Sequence, residues 1–93
     1  MKVKYMIELN KLMLGLMERN IEFKFHPYAN GGIVFVESQN WDAICHDASY
    51  GREDGLLEVM GSKVVRIRDD DDTVEGWLTA QQVLDRLDET KGE

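Results

Sequence analysis

The run Trp41-Asp42-Ala43-Ile44-Cys45-His46-Asp47-Ala48-Ser49-Tyr50-Gly51 sets a thiol, an imidazole, two carboxylates, a serine hydroxyl and two aromatic rings within eleven residues. Those residue types suit four chemistries, and spacing decides among them. A Cys–His nucleophile needs the imidazole within hydrogen-bond reach of the sulfur. If 41–46 is a strand, Cys45 and His46 point to opposite faces, and the alternation around His26 puts that imidazole opposite Cys45 as well. Cys45 therefore reads as a small buried hydrophobe. Zinc requires three or four ligands, and Cys45, His26 and His46 contain no CxxC or HxxxH pair, so no metal or cofactor is expected. A hydrolase built on His46 with Asp47 or Glu58 is conceivable, but Glu58-Val59-Met60 lacks the lysine of the familiar nuclease signature.

The fourth chemistry is ligand binding. Tyr50-Gly51-Arg52-Glu53-Asp54-Gly55 has glycines and an arginine ahead of an expected helix start, where anions bind, although it is neither a Walker loop nor a dinucleotide fingerprint. Trp41, Asp42, His46, Ser49, Tyr50 and Arg52 form the candidate binding set, with Trp41 free to stack on a base. His26 joins them if it shares the solvent face of the sheet with His46, a pairing that would respond to pH between ~5 and 8. Asp69-Asp70-Asp71-Asp72 lacks the spaced ligands and the glycine of a calcium loop. It reads as a solvated turn, or as a surface that engages arginines otherwise used for phosphate.

These residues must be positioned by a small set of elements. Apolar residues at Tyr5, Met6, Leu9, Leu12, Met13, Leu16 and Met17 recur at three- and four-residue steps, which predicts a helix over 5–19 with Gly15 at a close helix-to-sheet contact. Ile21, Phe23 and Phe25 alternate with polar residues as a strand that Pro27 ends. Ala29-Asn30-Gly31-Gly32 then turns into a second strand, Ile33 to Val36. Ser38-Gln39-Asn40 leads to a third, Trp41 to His46. Glu53 to Gly61 favours a short helix, on acidic residues in a first turn and a closing glycine. Lys63 to Arg68 alternates like an edge strand, and Val74 to Leu78 is short strand material. Thr79-Ala80-Gln81-Gln82 has capping-box spacing ahead of a helix over 80–89. The expected fold is α+β, a two-layer sandwich in which an antiparallel β-meander packs against an N-terminal and a C-terminal helix.

Ninety-three residues suit one domain, 1–93, with a single modest core. Such a chain is expected to fold alone or as a small oligomer, with a homodimer left open. No apolar run approaches the ~20 residues that cross a bilayer. A lone cysteine fits a reducing compartment, so a cytoplasmic location is expected. The formal charge of -7 is uneven: residues 1–28 carry +2, 29–62 carry -5 and 63–93 carry -4. A surface of this sign repels a duplex, so direct nucleic-acid binding is not expected and a partner with a basic surface is.

Leu14-Gly15-Leu16-Met17-Glu18-Arg19-Asn20, the Trp41 to Gly51 run, Gly55-Leu56-Leu57-Glu58-Val59-Met60-Gly61 and Gly76 to Leu84 together resemble small uncharacterised accessory proteins encoded by phages and prophages of Gram-positive bacteria. The resemblance implies a product acting in the bacterial cytoplasm during infection or lysogeny. Such genes include anti-CRISPR and other counter-defence inhibitors. The expectation is a non-enzymatic protein that binds a host or phage protein, with a small-ligand or nucleotide binder as the alternative.

Overall fold

A computed structural model of the chain describes residues 1–66 and 74–90. In chain order the elements are α1 (Val3–Glu18), β1 (Lys24–Tyr28), β2 (Gly31–Val36), β3 (Trp41–Cys45), β4 (Leu57–Met60), β5 (Val74–Leu78) and α2 (Ala80–Thr90). The five strands form one antiparallel sheet in sequence order, β1-β2-β3-β4-β5, so the α+β meander sandwich expected from the sequence is the fold.

The alternation that predicts the strands also divides the sheet into two faces. Val34 and Val36 of β2, Trp41, Ala43 and Cys45 of β3, and Leu57 and Val59 of β4 are buried with Leu9, Leu12 and Leu16 of α1 and Val83, Leu84 and Leu87 of α2 in one core. Both helices lie on that face. The narrowest extent of the molecule is 19 Å, the thickness of one helix layer and one sheet. The opposite face of the sheet is therefore uncovered among the described residues.

α1 ends as the sequence predicts, with Asn20 in the left-handed region at φ 57. Gly15, however, serves helix-to-helix packing: a Cβ there would run into the Leu84 side chain of α2. The capping box at α2 is present, with Thr79 N–H donating to Gln82 Oε1 (2.8 Å) and Gln82 N–H to Thr79 Oγ1 (3.2 Å). A second cap comes from α1, where Glu8 Oε1 accepts the Ala80 N–H at 2.8 Å, a carboxylate at the positive end of a helix.

Three expected elements differ. Glu53 to Gly61 is not a helix; a single 3-10 turn, Arg52–Asp54, stops at Gly55 (φ 68), and Leu57 to Met60 pairs as β4 with β3 and β5. The acidic first turn is local, whereas the in-out alternation of Leu57, Glu58 and Val59 fits a sheet with a free edge, and pairing wins. Residues 63–66 form no strand: the Val64 and Val65 N–H groups both bond Gly61 O in a tight turn that buries Val64, and the Arg66 N–H donates to the Glu75 carboxylate. Pro27 does not end β1, which runs through it to Tyr28 along the sheet edge, where a missing N–H costs no ladder bond. Asp69, Asp70, Asp71 and Asp72 lie outside the described residues.

Candidate functional site

The chemistry-rich run divides between core and surface. Cys45 is fully buried, and burial pushes its thiol up to about 11, so it is no thiolate near neutrality. Trp41 lies in the core with its indole N–H donating to Gln39 Oε1 at 2.9 Å, which leaves neither ring face free to stack on a base. Ser49 is buried and consumed by a turn: its hydroxyl donates to His46 O and accepts the His46 N–H, both at 3.0 Å. His46 accepts the Ala48 N–H on Nδ1 (3.1 Å), and its ring packs edge-on against Tyr28 at 5.1 Å. Arg52 donates to Ser49 O. Among the described residues, no cluster of three or more His, Cys, Asp or Glu is placed to hold a metal.

Asp47 is a tether. Tyr5 donates to Oδ1 (2.9 Å), Asn30 to Oδ2 (2.5 Å) and Lys2 pairs with it at 3.3 Å. The hydrogen bond from Asn30, then that from Tyr5, holds the carboxyl below its ordinary range. The N-terminus of α1 is thereby fastened to the loop after β3.

What the run leaves outward belongs to the uncovered face of the sheet. Register sets His26 opposite Ile33, Ile33 opposite Ile44, Phe35 opposite Asp42, Ile44 opposite Glu58 and Asp42 opposite Met60. Ile33, Phe35 and Ile44 are half-buried yet stand apart from the core cluster and the residues packed on it. They form an apolar strip open to solvent, with His26 at one side and two carboxylates on the other.

Those two carboxylates, like Glu18, Glu22, Asp54 and Asp85, stand outside the ion pairs of the described residues. Glu8, Glu37, Asp47, Glu53, Glu75, Asp88 and Glu89 each have a lysine or arginine within 4 Å. The negative surface suggested by composition is thus neutralised locally at these seven positions, in several cases by a basic side chain distant in sequence. Among the described residues neither Asp42 nor Glu58 is in such a pair. Partial burial, and secondarily the Glu58 charge, raise the Asp42 carboxyl above its ordinary range. Asp42 lies in a groove of about 540 Å³ whose walls include Phe35, Met60 and Ser62.

Next to this face is a feature the sequence reading missed. Between Leu57↔Leu78 and Val59↔Glu75 the β4–β5 register slips, so Glu58 stands opposite both Gly76 and Trp77 in a β-bulge. Trp77 takes φ 58, the left-handed region that bulky side chains avoid. Trp77 is 56% exposed, and its ring stacks on that of Tyr50, a residue 58% exposed, at 5.8 Å and 17°. Glu58 holds the arrangement, its Oε1 accepting the Tyr50 N–H at 2.9 Å. Two glycines permit it: a Cβ on Gly76 would lie 2.6 Å from Tyr50 Cβ, and one on Gly51 (φ 97) 3.0 Å from Trp77 N. The Gly76-Trp77 pair after an acidic run was the available signal. No protein-family model, curated protein or solved structure matches this chain.

Proposed function

We propose that the protein works by binding rather than turnover, presenting the uncovered sheet face to a host or phage protein that inserts arginine or lysine side chains. The observation that carries this reading is Trp77, a strained and solvent-exposed indole that a bulge and two glycines stack on Tyr50 beside Glu58. Strain of this kind, ~1–3 kcal/mol, persists only where the surrounding structure imposes it, and it clusters at functional sites. Paired exposed aromatics attract a guanidinium through their faces, and the neighbouring carboxylate receives its N–H groups. Ile33, Phe35 and Ile44 offer the apolar surround that keeps water from such an anchor. The same carboxylates repel phosphate, which disfavours a nucleotide on the Tyr50–Trp77 stack. The phage-type resemblance makes a bacterial defence component one candidate partner.

Immobilised chain, exposed to bacterial lysate at low and high salt, tests the proposal against Trp77→Ala and an Asp42→Asn/Glu58→Gln double variant. A protein retained by the natural sequence at low salt, released at high salt and absent from both variants is the expected result. Equal retention by all three chains, or none by any, refutes it. In parallel, a short arginine-rich peptide is expected to shift Trp77 fluorescence, and its citrulline counterpart to leave it unchanged.

A further inference from the structure

α1 buries one face in the core and leaves a second apolar stripe on the other. Val3 (79% exposed), Ile7 (48%), Leu14 (58%) and Met17 (60%) project outward, with exposed Asn10 completing the series. The steps between these positions are four, three, four and three residues, the spacing of a coiled-coil seam rather than of scattered surface residues. On a helical wheel the five positions span ~80°, almost opposite the core residues Tyr5, Leu9, Leu12 and Leu16. Met17, which periodicity assigned to the core, belongs to this outer stripe.

We infer that a second copy of the chain covers the stripe, with the two α1 helices antiparallel about a twofold axis near Asn10. The seam is self-complementary in that direction: Val3 meets Met17 of the other copy, Ile7 meets Leu14, and the two Asn10 residues fall at the axis. Charge selects the same direction. Lys4, Lys11 and Glu18 line one flank of the stripe, and neither Lys4 nor Glu18 is in an ion pair among the described residues. In antiparallel packing like flanks face each other, so Lys4 of each copy meets Glu18 of the other at both ends, while the two Lys11 side chains, each paired with Glu8 of its own helix at 3.3 Å, face each other at the axis. Parallel packing would set these charges against Met6 and Met13 instead. The seam lies on the helix layer, so dimerisation leaves the Tyr50–Trp77 face free and presents it twice.

Sedimentation equilibrium of the full chain, followed to about 1 mM, where even a millimolar dissociation constant populates the dimer, tests the inference. A dimer is expected, with Leu14→Lys raising its dissociation constant at least ~100-fold and circular dichroism confirming that the variant is folded; Ile7→Lys provides the second case. Lys4→Glu should weaken association and Lys4→Glu/Glu18→Lys restore it. For direction, a mixture of Val3→Cys and Met17→Cys chains should form a disulfide, and Val3→Cys alone should not. A monomer throughout, a dimer indifferent to both lysine substitutions, or self-linking by Val3→Cys alone overturns it.

Discussion

Asp42→Asn is expected to stabilise the protein and weaken binding at once. Asp42 and Glu58 are diagonal neighbours across β3 and β4, since Asp42 faces Met60 and Glu58 faces Ile44. Diagonal side chains lie ~7–8 Å apart, and two unit charges there repel by about 0.5–1 kcal/mol for effective dielectric constants between ~80 and ~40. Asparagine keeps the shape and removes the repulsion, which should raise the melting temperature by about 2–8 °C near neutrality. The sign of the pH dependence follows from the raised carboxyl. An acid that binds its proton more tightly in the folded state lends stability below its unfolded pKa, and that contribution is lost as pH rises through the folded value. The advantage of the variant should therefore be present at about pH 7 and vanish near pH 3, where aspartate is protonated in both states. Urea denaturation of both chains across this range measures it. A variant that is less stable at neutrality, or whose gain persists at acid pH, refutes the electrostatic reasoning. A gain with undiminished partner binding separates Asp42 from function.

The two tryptophans should respond oppositely to removal. Trp41→Ala empties core volume and should cost about 3–5 kcal/mol, whereas Trp77→Asn loses a stack of ~0.5–1.5 but relieves ~1–2 of left-handed strain, leaving thermal stability within about 1 kcal/mol of the natural chain. Glu75→Gln should cost about 2–3 kcal/mol, roughly 10–20 °C on a melting curve, because Arg86, at 2.7 Å and 2.9 Å from the two carboxylate oxygens and largely shielded from water, loses its charge partner. A shift below a few degrees would show that the pair is weakly coupled to folding. Cys45 should react with iodoacetamide at about pH 8 at least ~100-fold more slowly in the native protein than in urea, since it is buried and its thiol is held near 11. Rapid native labelling would place it at the surface.

Period and capping made most of the fold legible. The 3.6-residue repeat marks α1, the alternation of Trp41 to Cys45 marks β3 and its core side, and Thr79 with Gln82 marks the start of α2. Glu53 to Gly61 misled because a helical first turn and a strand share one short stretch, and only pairing with β3 and β5 decides between them. At the site, Tyr50, Asp42 and His26 were legible as outward residues, because alternation and turn chemistry are local. Ser49 was not legible as internal, since a hydroxyl near a turn looks available until its partners are known, whereas alternation already put Trp41 on the Cys45 side of β3. Trp77 was missed because a bulge is a mismatch between two strands, visible only when both are in place. The seam on α1 was half legible, as its apolar residues were counted but assigned to one face.

The central claim is that the open sheet face, not the helix layer, meets the partner protein. Photo-cross-linking in bacterial lysate tests it most directly, with a photoreactive phenylalanine analogue installed in turn at Phe35, Met60 and Leu14. Adducts to a discrete foreign protein are expected from Phe35 and Met60, suppressed by high salt, while Leu14 yields only the chain linked to itself. Foreign adducts from Leu14 alone, or none from either sheet position, would contradict the account.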